Sequence, residues 1–142
     1  MIYLDTGCLL KLYYPEPESV AVARLVHGRV LAFASLHELE LTNALQLKAF
    51  RKEARPAQVR ATLGMIEADV RAGVLHRVDL DWAVVHRDAT VLALAHSARI
   101  GCRSLDILHC AAAKSLGAAP FVTTDVRQRR MATAAGLACV SP

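Results

Sequence analysis

Short apolar runs alternate along the chain with longer segments in which apolar residues recur every three or four positions. The short runs consist mainly of aliphatic and aromatic residues, which is typical of strands buried on both faces. The longer segments have the period of amphipathic helices. Strands that alternate with helices predict an α/β fold, a three-layer α/β/α sandwich around a mostly parallel sheet of four or five short strands.

Helix breakers and caps place the boundaries of these elements. Pro15 and Pro17 end the first helix, Pro56 opens another, and Gly28 and Gly73 are expected stops. The predicted strands cover residues 2–4, 30–34, 74–78, 121–122 and 138–140. The predicted helices cover residues 8–14, 19–27, 35–55, 56–72, 82–99, 104–116 and 125–135, with Ser35, Asp81 and Ser104 as N-caps.

The length of 142 residues predicts a single domain covering residues 1–142. A net charge of +4 permits a nucleic-acid partner without requiring one. The four cysteines form no C-x-x-C pair, so they are expected to be reduced thiols of a cytoplasmic protein. The chain begins without a leader-like segment and has no apolar run of about 18–20 residues, so no membrane partner is expected.

Four acidic residues occupy positions that are unusual for solvated side chains. Asp5 and Asp125 follow apolar runs, at the carboxyl ends of predicted strands, where open α/β sheets bind their ligands. Glu40 and Asp106 lie on apolar faces of two predicted helices, where an unpaired carboxylate is costly. The apolar stripe that contains Glu40, and that is predicted to face the core, consists of Leu36, Leu39, Asn43, Ala44, Leu47 and Phe50. Glu38 points away from that stripe and is expected to be solvated. Leu41 and Leu45 form a second apolar stripe near Glu38, so the helix is expected either to be fully buried or to meet a partner chain.

Carboxylates from four elements that meet at one sheet edge predict a Mg²⁺ or Mn²⁺ site, because like charges need a cation or a proton to share a site. Such an ion activates water and stabilises charge on phosphorus, so hydrolysis of a phosphodiester is the leading interpretation. Asp106 and Asp125, taken singly, are also explained as residues that the dipole favours at a helix start. Thr6 and Thr124 are candidates to orient carboxylates or contact phosphate, and are equally typical of turns.

Basic residues near these acids offer contacts for phosphates, although such clusters are also typical of solvated surfaces. They are Lys48, Arg51, Lys52, Arg55, Arg103, Lys114, Arg127, Arg129 and Arg130. Other hydrolases fit less well, because an aspartyl phosphatase needs a second Asp where Gly7 stands and a cysteine phosphatase needs an Arg where Tyr14 stands. His109 and Cys110 lack further ligands at zinc-site spacing, and His109 is expected to be a core residue.

Four segments in order resemble the motifs of PIN-domain ribonucleases, above all the VapC-type toxins of bacterial and archaeal toxin–antitoxin pairs. The segment MIYLDTGCLLKLYYPEPES resembles the family's first strand, first acid and Pro-Glu loop. The other three are ELTNAL, RSLDILHCAAAKSLGA and FVTTDVRQRRMATAAGL, which resemble the second, third and fourth acidic motifs. Each motif alone is weak, but four in the right order over essentially the whole chain are specific.

The resemblance implies a PIN-like fold and a toxin that is a metal-dependent endoribonuclease. It makes four acids the catalytic and metal-binding residues, with hydroxyl neighbours at Thr6 and Thr123: Asp5, Glu40, Asp106 and Asp125. The chain departs from the family at Gly7, where a Ser or Asn is common. The resemblance also implies a Mg²⁺ or Mn²⁺ cofactor, an RNA substrate, a homodimer, and a small antitoxin whose tail blocks the acidic groove. The alternative is a non-catalytic PIN-fold module that binds RNA or protein, against which the presence of all four acids argues.

Overall fold

The computed structural model describes all 142 residues and arranges five short strands in parallel. The strands are β1 (Tyr3–Leu4), β2 (Leu31–Phe33), β3 (Leu75–Arg77), β4 (Phe121–Val122) and β5 (Cys139–Val140). Strand β1 pairs with β4, β4 pairs with β5, and β2 pairs with β3. A parallel bridge between Ile2 and Leu31 joins the two groups, so the order across the sheet is β3-β2-β1-β4-β5. The predicted parallel sheet is confirmed.

Helices make the crossovers that parallel strands require. They are α1 (Thr6–Leu10), α2 (Ser19–Val26), α3 (Ser35–Phe50), α4 (Pro56–Ala72), α5 (Trp82–Ile100), α6 (Ser104–Ser115) and α7 (Val126–Ala134). The predicted N-cap Asp81 is confirmed. The predicted N-caps Ser35 and Ser104 are wrong by one residue, because the N-cap of α3 is Ala34 and that of α6 is Arg103. At the start of α3 the Nδ1 atom of His37 accepts a hydrogen bond from the Ala34 amide at 3.0 Å, which is one half of a capping box, while Ala34 has no side-chain acceptor for the amides of the first turn.

Side chains of the sheet alternate between two cores, which gives the three predicted layers. Ile2 and Leu4 enter a core formed with helices α1 to α4, whereas Tyr3 enters a core formed mainly with α5, α6 and α7. On β4, Phe121 belongs to the second of these cores and Val122 to the first. The alternation follows from the two-residue period of a strand, and it explains why these runs read as continuously apolar.

The buried face of α3 differs from the predicted one. Leu41 and Leu45 are buried in the core, whereas Leu39 is 66% exposed and Phe50 is more exposed still. The prediction that the stripe containing Glu40 faces the core was therefore wrong for most of its length. The physical reason is that α3 packs through its other apolar face and leaves the Glu40 stripe as one wall of an open cavity.

Two central strands end side by side. The backbone amide of Asp5 donates to the Val122 carbonyl at 2.9 Å, so the residues that follow β1 lie next to those that follow β4. Parallel strands present their carboxyl ends at one edge of the sheet, and this pair defines where a ligand would meet it. None of the helices combines the length and the apolar composition needed to cross a bilayer.

Candidate active site

All four predicted acids line one cavity of about 540 Å³ at this edge of the sheet. Asp5 follows β1, Glu40 lies in the second turn of α3, Asp106 in the first turn of α6, and Asp125 immediately before α7. Four separate elements therefore bring these side chains to a single space. This arrangement agrees with the prediction that the four carboxylates meet at one edge of the sheet.

Asp5 is the buried member of the set. Its Oδ1 accepts the Cys8 amide at 2.6 Å, so the carboxylate is the N-cap of α1, and its Oδ2 accepts the Thr123 hydroxyl at 2.5 Å. Burial raises the pKa of Asp5, because desolvation penalises the charged form, and the two hydrogen bonds offset only part of that effect. A cation beside this carboxylate would favour its ionised form.

Glu40 is held by two donors that share one of its oxygens. Oε2 accepts the Thr6 hydroxyl and the His109 Nε2 proton, each at 2.6 Å. Burial alone would raise the pKa of Glu40, but the hydrogen bonds from His109 and Thr6 outweigh it, so the pKa is lowered. Glu40 is thus an ionised carboxylate, and its Oε1 receives no hydrogen bond from the protein.

His109 was expected to be a core residue, and the structure shows that it also belongs to this site. Its side chain is 2% exposed, and its Nδ1 lies 2.9 Å from the Tyr3 hydroxyl. An ionised carboxylate only accepts hydrogen bonds, so Nε2 is the protonated nitrogen that donates to Glu40. In that tautomer Nδ1 is an acceptor, and Tyr3 donates to it. The one sequence signal for this role is the three-residue spacing from Asp106, which places both side chains on one face of α6.

Asp106 and Asp125 have local roles as well. Asp125 caps α7, its Oδ1 accepting the amides of Arg127 and Gln128 at 2.7 and 2.9 Å. The Oδ2 atom of Asp106 accepts from Arg103 at 3.2 Å. The second oxygen of each carboxylate, Oδ2 of Asp125 and Oδ1 of Asp106, has no protein donor. Helix-start roles and exposure to the cavity therefore coexist in these two residues.

Gln128 is a site residue that no motif or spacing in the sequence indicates. Its buried side chain places Oε1 2.8 Å from the Thr123 hydroxyl oxygen and donates from Nε2 to the Asp106 carbonyl at 3.3 Å. Thr123 in turn bonds Asp5. One amide from α7 thus ties the residues that follow β4 to the first turn of α6, and so sets Asp5 relative to Asp106.

The remaining lining mixes apolar residues with the polar Asn43 and Thr124 and carries little positive charge. Leu39, Leu47 and Leu105 form parts of the rim, Thr124 and Gly7 face the cavity, and Arg103 is the only Arg or Lys that lines it. Lys48, one of the predicted phosphate contacts, instead pairs with Glu16 at 3.4 Å and lies over the Tyr14 ring. The predicted basic cluster at the end of α3 is therefore reduced to its other three members: Arg51, Lys52 and Arg55.

The donor set fits a hard divalent cation held through few direct ligands. No three side chains of Asp, Glu, His or Cys lie close enough together to hold one ion between them. Mg²⁺ needs only one or two carboxylates, because it keeps several of its waters. Three carboxylate oxygens without a protein donor border the cavity, on Glu40, Asp106 and Asp125, which meets that requirement with oxygen ligands alone.

Comparison with known proteins agrees with the motifs. The family model described as PIN domain matches residues 2–134. The ribonuclease VapC35 of Mycobacterium tuberculosis is 35% identical over 149 aligned positions, which cover 100% of this chain and 97% of that protein. The ribonuclease VapC46 of the same organism is 32% identical, with coverage of 99% and 97%.

Solved structures share the fold at lower sequence identity. VapBC2 from Rickettsia felis, bound to a promoter DNA fragment, aligns with a TM-score of 0.64 and 17% identity over 99% of this chain and 98% of that one. FitAcB from Neisseria gonorrhoeae aligns with a TM-score of 0.60 and 19% identity over 98% and 96%. The family model, the curated relatives and the three-layer architecture lead to the same conclusion: the chain belongs to the PIN-domain family.

Proposed function

We propose that the chain is an endoribonuclease that depends on Mg²⁺ or Mn²⁺ and acts as the toxin of a toxin–antitoxin pair in the cytoplasm. The observation that supports this most directly is the single cavity lined by four carboxylates from four elements. The full-length similarity to two proteins named ribonuclease supports the reaction class. Four free cysteines are compatible with a reducing compartment.

The proposed metal-binding residues are the four acids of the cavity, and the chain's own hydrogen bonds give each one a fixed direction. Thr123 and the Cys8 amide hold Asp5, whereas Thr6 and His109 hold Glu40. A bound divalent ion supplies a Lewis acid that activates water and stabilises charge on phosphorus. The carboxylates also repel a bare RNA backbone, so the cavity accepts a phosphate only when positive charge is present there.

Gln128→Leu is expected to weaken Mn²⁺ binding roughly 10- to 100-fold, the usual cost of losing a group that orients metal ligands. The variant removes the contact to Thr123 and the hydrogen bond to the Asp106 carbonyl, but it keeps the side-chain volume. Isothermal titration with Mn²⁺ measures the effect. Met131→Ala is the matched control, since Met131 is buried on the same helix and does not line the cavity: it should lower the melting temperature and leave the affinity unchanged. Equal Mn²⁺ affinity in Gln128→Leu and the wild type would contradict the assigned role.

The composition of the cavity rim is an argument for the proposed peptide partner, the tail of an antitoxin. Leu39, Leu47 and Leu105 present apolar surface beside the acids, which suits a segment that combines apolar side chains with a cation. Such a segment would place positive charge among the carboxylates and exclude the substrate. The antitoxin is thus proposed to inhibit by occupying this cavity.

The proposed homodimer has a candidate surface on α5, where Leu94 is 88% exposed and Val91 is also exposed. Because Leu94→Lys puts a charge into this apolar face, we expect the dimer to dissociate at concentrations where the wild type remains paired. Light scattering coupled to gel filtration measures the mass. Val20→Lys, an equally apolar position exposed on α2, is the control and should not change the mass. A Leu94→Lys protein that stays dimeric would exclude this face.

The test of the reaction itself is a cleavage assay on tRNA and ribosomal RNA with and without Mg²⁺. Cleavage that requires the ion and stops with a chelator supports the proposal. Binding of RNA without cleavage at any Mg²⁺ or Mn²⁺ concentration would instead favour the non-catalytic module.

A further inference from the structure

The end of α3 presents an aromatic ring to solvent. Phe50 is the last residue of the helix and is 83% exposed, whereas Phe33 and Phe121, the other two phenylalanines, are buried. Leaving such a side chain in water forgoes the free energy that its burial would contribute. The ring therefore has an unused capacity for contact with another molecule.

Phe50 continues the helical stripe that lines the acidic cavity. Leu39 and Leu47 of that stripe border the cavity, and the helical period of 100° per residue places Phe50 in line with Leu39. Ten residues separate Glu40 from Phe50, which is about 15 Å along the helix axis. A linear ligand that extends from the cavity along α3 would therefore contact the Phe50 ring.

Unpaired positive charge follows this ring in the sequence. Three exposed basic side chains follow it, and none of them forms an ion pair: Arg51, Lys52 and Arg55. A second cavity of about 430 Å³ lies between the end of α3 and the start of α4 and is lined by Lys52 and Arg55. That volume is within the range of small-ligand sites, and its lining is mostly polar. Glu53 lines the cavity as well, and its carboxylate lies 3.9 Å from the Lys48 ammonium.

We propose that Phe50 and these three cations form a subsite for single-stranded RNA, about 15 Å from the catalytic acids. This inference rests on the proposed ribonuclease function and deepens it. A base stacks on the Phe50 ring, and neighbouring phosphates contact Arg51, Lys52 and Arg55. An exposed ring followed by unpaired cations matches a polyanion with flat bases, whereas a two-fold interface through this patch would place the three cations against the same three cations of the second copy.

The binding experiment uses the whole chain with Asp5→Asn, which is expected to leave RNA uncut. Its affinity for a short unstructured oligoribonucleotide is measured by fluorescence anisotropy. Phe50→Ala is expected to weaken binding about tenfold, within the range measured for base–aromatic stacking, and Phe50→Trp should restore it. Val20→Ala removes an exposed apolar side chain from α2, away from the proposed dimer face and from both cavities, and should not change the affinity. Arg51→Ala combined with Lys52→Ala should reduce the slope of log affinity against log salt by about 0.7 for each lost contact.

A cleavage experiment separates this inference from the proposed function. With Asp5 intact, Phe50→Ala should raise KM and leave kcat unchanged, because the ring binds substrate and transition state equally. Cleavage and binding that are both insensitive to Phe50 would overturn the subsite while leaving the ribonuclease standing. Phe50-dependent binding by a protein that never cleaves RNA would support the subsite and overturn the nuclease. An Asp5→Asn protein that binds no RNA would overturn the subsite. So would a Phe50→Ala variant that binds RNA normally and changes only the mass of the dimer or the affinity for an antitoxin.

Discussion

Replacing Asp5 or Asp106 by Asn is expected to abolish Mg²⁺-dependent RNA cleavage while the protein remains folded. Both carboxylates face the cavity in which we place the ion, and Asn offers one neutral oxygen in place of an anionic pair. The loss should exceed the roughly 10- to 100-fold that removal of an orienting partner costs, because these residues are the proposed ligands themselves. The measurement is the initial cleavage rate at saturating Mg²⁺, together with Mn²⁺ affinity by titration.

The Asn variants are suited to this test because they keep the local structure. The Asp5 side chain caps α1 through the Cys8 amide, and an Asn oxygen is an equally good N-cap. Their circular dichroism spectra should match that of the wild type. Glu38→Gln is the control acid, since Glu38 lies on α3 but outside the cavity, paired with Arg77 at 2.9 Å. Full activity in both purified variants would reject the site.

The topology and the meeting of the four acids followed from the sequence because both depend on local patterns. Apolar runs that alternate with helical periods specify a covered parallel sheet, and a parallel sheet delivers the residues after β1 and β4 to one edge. Asp5 and Asp125 were therefore placed by counting along the chain. The role of Asp5 as a metal ligand is the part that the Asp5→Asn variant tests.

The features that the sequence did not reveal depend on contacts between distant segments. Helix α3 is apolar on two sides, and only the packed fold determines that Leu41 rather than Leu39 faces the core. The bonds from His109 to Glu40 and from Gln128 to the Asp106 carbonyl join different helices. No spacing within one helix encodes such pairs. In the sequence His109 therefore has the pattern of a core residue and Gln128 that of a surface residue, and neither is identified as part of the site.

Acidification is expected to destabilise the protein by up to roughly 1.4 kcal/mol for each pH unit below 6.5, through the buried ring of His37. Its Nε2 donates to the Leu4 carbonyl at 2.8 Å and its Nδ1 accepts from the Ala34 amide, so both nitrogens are used by a neutral ring. Burial, reinforced by the nearby His109, lowers the pKa of His37 from 6.5 to about 3. The ring thereby ties the end of β1 to the start of α3, the helix that bears Glu40.

The direction of the pH effect follows from proton uptake. Below pH 6.5 the unfolded chain protonates this histidine, whereas the folded protein does so only near pH 3, so the unfolded state binds more protons and stability falls with pH. The lowered pKa of Glu40 adds to the loss in acid, and the raised pKa of Asp5 opposes it. Urea unfolding from pH 7 to pH 4 should show a steep decline for the wild type and, for His37→Gln, lower stability at pH 7 with a slope smaller by nearly one proton. His27→Gln, at an exposed position, should keep the wild-type slope. Equal slopes in His37→Gln and the wild type would show that another group controls acid stability.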